Sequence, residues 1–113
     1  MIDGFTSTFI EGLPEHLLEV RLTQTEGFDG EPPANLTVIL VVGPADPNAL
    51  SYLVPRSVFE RELPVHVGAL GHEDESLLHS MYDVLEVMNA DDIVVFLCED
   101  DKIMNQASDL LLH

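Results

Sequence analysis

The residues able to do chemistry fall into two groups, a short run of histidines and a large excess of carboxylates. His66, His72 and His79 lie within fourteen positions, interleaved with Glu73, Asp74, Glu75 and Asp83. If this stretch is helical, Glu75, His79 and Asp83 recur every four residues and share one face. His79 and Asp83 are then within reach of one cation, a weak site for Zn or Mn. No closed ligand set at the usual intervals is present, and a solvated helix face explains the same residues. We therefore expect no metal and no other cofactor.

The carboxylates are too many to diagnose a reaction. With 21 Asp and Glu in 113 residues, any two can be drawn as an acid/base pair. Glycoside cleavage also needs a concave, aromatic-lined cleft, and the chain has five Phe, two Tyr and no Trp. There is no G-x-G-x-x-G, no phosphate-binding P-loop, no G-x-S-x-G and no H-E-x-x-H. Cys98 sits in the apolar run VVFLC, followed by Glu99, Asp100 and Asp101. Nothing basic is beside it to favour a thiolate, so it reads as a buried, inert thiol. A lone cysteine excludes an internal disulfide and fits a reducing compartment. Expected class: not an enzyme.

Several elements must carry these residues. Leu36 to Gly43, LTVILVVG, is apolar without a break and reads as a central strand covered on both faces. FTSTFI (5–10) reads as a strand. Glu15 to Thr25 reads two ways. As a helix, Pro14 takes the first position and Leu13, Leu17 and Leu18 make a stripe. As a strand, Leu18, Val20 and Leu22 alternate with Glu19, Arg21 and Thr23; the alternation favours the strand, which would pair with the first as a hairpin. Glu26 to Asn35, with two Gly and two Pro, is an exposed loop. Leu50 to Val54 reads as a short strand. Arg56 to Val67 reads as an irregular strand interrupted at Pro64, which implies a sheet edge. Gly68 to Gly71 reads as a turn.

Asp74 is a candidate N-cap for a helix running to about Asn89, with Leu77, Leu78, Met81, Val84, Leu85 and Met88 on its buried face. IVVFLC (93–98) is a second buried strand. Asp100 caps a last helix carrying Ile103, Met104, Ala107, Leu110 and Leu111 on one side. The expected fold is a single α+β domain over residues 1–113. It is a two-layer sandwich with a mostly antiparallel sheet of five to six strands and two helices in the C-terminal half.

The charge carries the functional reading. Four bases, Arg21, Arg56, Arg61 and Lys102, leave a net charge of −17. Residues 1–56 carry −6 and residues 57–113 carry −11. Such a field repels nucleic acid and anionic membranes and attracts basic surfaces. No basic leader and no apolar run near the ~20 residues of a membrane span is read, so a cytoplasmic location is expected. Carboxylates one helical turn apart are spaced roughly 6 Å along the axis, and two acid rows of that kind imitate a phosphate track. The profile, short, very acidic and without a catalytic signature, is shared by phage-encoded inhibitors of host defence and by immunity proteins that plug basic toxins.

The leading expectation is thus a non-enzymatic inhibitor of a basic nuclease, other nucleic-acid-binding enzyme or toxin. Its partner-binding residues would be Glu73, Asp74, Glu75, Asp83, Glu86, Asp91, Asp92, Glu99, Asp100 and Asp101. A halophilic origin would give the same charge with no such role. The alternatives are an adaptor or secretion/assembly chaperone pairing through apolar surface, as a homodimer, and a small metal-dependent enzyme at His79 and Asp83.

Overall fold

The structure, a computed structural model, describes residues 5–11, 17–24, 35–44, 46–54, 56–71, 76–85, 87–88 and 91–112. The expected loop at 26–35, apart from Asn35, which lies in a strand, and the Asp74 cap fall outside the described residues.

Five strands form one sheet: β1 (Phe5–Glu11), β2 (Leu17–Gln24), β3 (Asn35–Val42), β4 (Val65–Leu70) and β5 (Ile93–Cys98), in the order β1-β2-β3-β5-β4. β2 to β5 make the mixed four-strand core whose side chains are described, and β1 lies beside β2. The α+β class holds, but the expected mostly antiparallel sheet does not. β1–β2 and β2–β3 are antiparallel, whereas β3–β5 and β4–β5 are parallel. A parallel pair needs a crossover of a dozen or more residues. The chain supplies two, one between β3 and β4 and one between β4 and β5, and the last strand enters between the two earlier ones.

Burial explains why β3 and β5 are central. Val38, Ile39, Leu40 and Val41 are fully buried, and so are Ile93 to Phe96. Stiff, branched side chains suit a pleated strand covered on both faces. Val20, Leu22, Leu36, Val38, Leu40, Val94, Phe96 and Cys98 share one face. Two helices cover it, α3 (Leu77–Leu85) through Met81 and Leu85, and α4 (Asp101–Leu112) through Ile103, Ala107 and Leu111. Of the helical stripes read from the sequence, Met81, Leu85, Ile103, Ala107 and Leu111 are buried, and Leu77, Val84, Met88, Met104 and Leu110 pack half-buried against them. α3 is shorter than expected, ending at Leu85, after which Val87 and Met88 donate to Val84 and Leu85 in tighter turns.

The opposite face overturns the two-layer expectation. Residues 50–53 and 56–59, expected in strands, are helical. A 3-10 turn (Pro47–Ala49) leads into α1 (Leu50–Leu53) and then α2 (Arg56–Phe59). The cause is local: Asp46 accepts hydrogen bonds from Asn48 N–H at 3.0 Å through Oδ1 and from Ala49 N–H at 2.9 Å through its carbonyl, which starts a helical turn. Leu50, Leu53, Val54 and Val58 then cover Leu17, Ile39, Val41, Ile93, Val95 and Leu97, giving a thin third layer. An apolar run of five cannot be told from a buried helical turn by its pattern.

β4 extends to Leu70, through the positions read as a turn, and it is an edge strand as Pro64 implied. Gly68 allows α3 to come close: a Cβ there would stand 3.0 Å from the Phe96 ring and 3.2 Å from Val84 Cγ2.

Candidate functional site

Of the ten acids expected to bind a partner, Glu73, Asp74, Glu75 and Glu86 lie outside the described residues. The other six are distributed over the molecule. Asp83 is exposed on α3, and Asp101 is exposed in the first turn of α4. Asp91 is exposed at the start of β5, while Glu99 is exposed at its end. A strand of six residues spans roughly 20 Å, so these two groups face opposite ends of the sheet and do not form one row. Asp100 caps α4, its Oδ1 accepting the Ile103 N–H at 3.0 Å.

Asp92 is not presented to a partner. It is 3% exposed, and its Oδ2 lies 2.9 Å from His66 Nε2 at the start of β4. A buried carboxylate needs such a partner, and Asp92, just ahead of β5, is thereby tied to the second residue of β4. His79 Nε2 and Asp83 Oδ1 do approach, at 3.8 Å, but both side chains are exposed. Among the described residues no three His, Cys, Asp or Glu side chains gather to hold a metal ion.

The described structure has one further polar concentration. A cavity of about 510 Å³ is lined by Glu19, Arg21, Asn35, Thr37, Arg61, Leu63 and Asp91. It lies on the α1–α2 side of the sheet, beyond the part those helices cover. Strand register builds it: Glu19 stands opposite Ile39, Arg21 opposite Thr37, and Thr23 opposite Asn35, so one strand face changes from apolar to polar along its length. Glu19 is 6% exposed. Its Oε1 accepts a hydrogen bond from Arg61 Nη2 at 3.0 Å, which supplies the opposite charge that a buried carboxylate requires. Thr23 Oγ1 donates to Asn35 Oδ1 at 3.0 Å. Glu62 and Asp91, the described non-glycine residues with positive φ (57° and 67°), flank Leu63 and line the wall respectively.

Two of the four bases in the chain, Arg21 and Arg61, are thus lodged beside one cavity. Chemically it offers a guanidinium, an amide and a hydroxyl, a set able to hold a carboxylate. The surrounding −17 charge opposes free anions. The alternation around Val20 already placed Glu19 and Arg21 on one strand face. The partner Arg61, 42 residues away, had no signal in the sequence.

Cys98 is buried, its Sγ 3.7 Å from the Phe96 carbonyl oxygen. Burial first, and the Asp100 charge after it, push its thiol up to about 12 despite a backbone hydrogen bond that acts the other way. Among the described residues no helix is long and apolar enough to cross a membrane. No protein-family model matches the chain, and no curated protein or solved structure matches it either.

Proposed function

We propose that this protein is a non-enzymatic binder that captures a basic protein, of the kind that holds nucleic acid or acts as a toxin, and blocks it. The observation that carries the reading is the charge of −17 together with the position of the few bases. Arg61 is ion-paired with Glu19, and Arg21 lines the same cavity, so half of the positive charge is gathered at one place. Elsewhere Asp46, Glu60, Glu62, Asp83, Glu99, Asp101 and Asp109 are exposed on different elements. Among the described residues the exposed carboxylates are thus not gathered on one element, which supports broad electrostatic capture over a copied phosphate spacing.

The test is a pull-down from lysate at low salt with elution by a salt gradient, followed by competition with DNA or RNA for the captured protein. The expected result is a basic protein released as salt rises, whose nucleic-acid or target binding is lost when this chain is added. Capture unaffected by salt would overturn the reading.

A second reading, an adaptor pairing through apolar surface, is favoured by one observation. Phe59, Leu63 and Val67 are 40%, 37% and 42% exposed. Self-association that survives high salt is its signature.

A further inference from the structure

We infer that the β4 edge is a docking strand, and that its occupant is an extended segment of the basic partner carrying alternating cationic and apolar residues. The inference rests on the proposed basic partner and adds where and how it is held.

The hydrogen-bond phase fixes which groups are free. Ile93 N–H donates to the Pro64 carbonyl at 2.9 Å, and Glu99 N–H donates to the Leu70 carbonyl at 3.0 Å. With Val65 opposite Ile93 in a parallel pair, the even-numbered residues of β4 turn their backbone groups to β5. Val65, Val67 and Ala69 turn theirs away. No described residue pairs with them, since β4 is the last strand of the sheet. A row of unpaired N–H and C=O groups is a template for another strand, and natural edges are usually blunted by lysine, bulges or a covering loop. No Lys and no strand Pro lies within Val65–Leu70, and the register with β5 has no bulge.

The side chains beside this edge agree in type. Val67 and Ala69 are exposed on the face opposite α3. Exposed carboxylates stand at both ends: Glu60 and Glu62 before β4, and Glu99, whose backbone bonds to Leu70, after it. Strand addition draws affinity from main-chain bonds and specificity from alternate side chains. Here the apolar positions suit Val or Ile and the flanking acids suit Lys or Arg. A second copy of the chain presents the same carboxylates to themselves and is repelled.

The test uses the full chain and a capped heptapeptide of alternating Lys and Val as the probe. Binding is followed by amide NMR and hydrogen exchange. The expected result is protection of Val65, Val67 and Ala69 amides, binding lost when alternate peptide nitrogens are methylated, and binding about tenfold weaker in Val67→Lys. Gln106→Lys, on the exposed side of α4, makes the same charge change and should alter binding by less than about twofold. Equal weakening in both variants, unchanged binding of the methylated peptide, or no binding of the Lys–Val peptide overturns strand docking. None of these touches the salt-dependent capture of a basic protein, which fails or stands on the pull-down alone. Protection of the same amides that grows with protein concentration and needs no peptide assigns the edge to a second copy and also overturns the proposal.

Discussion

Arg61→Ala isolates the ion pair described at the cavity. In the folded protein Glu19 is almost fully enclosed on β2, and its described ionic partner is the Arg61 guanidinium at 3.0 Å. A hydrogen bond to a charged group contributes about 1.5–3 kcal/mol, more when removal strands the partner. The Arg61 side chain is 37% exposed, so solvent screens its side of the pair and the lower part of that range applies. We expect Arg61→Ala to lose about 1.5 kcal/mol, or roughly 6 °C in Tm for a chain of this size.

The second arm removes both charges. Glu19 stands opposite Ile39 on the sheet face, where a β-branched side chain packs well. Glu19→Val combined with Arg61→Ala should return to within about 0.5 kcal/mol of the parent, because replacing both members of a sheltered pair is often neutral or better. Urea unfolding followed by far-UV circular dichroism gives both values, provided the slope is unchanged. An Arg61→Ala midpoint equal to the parent, or a double variant as unstable as the single one, would refute the claim that Arg61 compensates a buried Glu19 charge.

Three further outcomes are expected. Ala is favoured over Gly in a strand by roughly 0.5–1 kcal/mol, but the 3.0 Å approach of Phe96 at Gly68 reverses the sign; Gly68→Ala should be less stable by about 1 kcal/mol, and a gain in denaturation midpoint would show that the Phe96 ring gives way freely. Asp100→Ala should cost about 1 kcal/mol while Asp100→Asn keeps the cap and most of the stability, an ordering readable by thermal melts; equal loss in both would mean that charge, not capping, is what Asp100 supplies. The Cys98 thiol stays protonated in the folded chain up to about 12 but ionises near 9.0 when unfolded. Its contribution is full below about pH 9 and is lost as pH rises towards 12, so stability of the parent relative to Cys98→Ala should fall above pH 9; a gap independent of pH contradicts the burial of the thiol.

Much of the sheet was legible because it is written in local pattern. The runs Leu36–Val42 and Ile93–Cys98 are too apolar to lie anywhere but the centre, and the 18–23 alternation is one strand with two unlike faces. The spacings in 77–88 and 103–111 matched the buried sides of α3 and α4. Residues 50–53 and 56–59 were misread because a short apolar run satisfies either a strand or a helical turn, and the Asp46 turn decides it. Parallel pairing was missed because it depends on which strands become neighbours, a non-local choice. The same holds for the candidate site. Asp92 looks like any acid beside Asp91 until His66, distant in the chain, closes over it. The acid rows looked continuous in sequence because Asp91 and Glu99 are close along the chain, yet a strand separates them by its whole length.

The late arrival of the middle strand has a consequence for how this protein is made. During synthesis β3 and β4 emerge with the gap between them unfilled, since β5, which pairs with both, comes only after Asp92. Until then Ile39, Val41, Val38 and Leu40 have no neighbour on that side, and the inner edges of two strands are open at once. At about 5–20 residues added per second the exposed interval lasts seconds. A ribosome stalled before Ile93 therefore holds a sticky, unfinished sheet, and release of an intact chain is what lets the two halves join. Chains truncated ahead of β5 should fall to proteases or aggregate, whereas truncation within α4 would leave all five strands present.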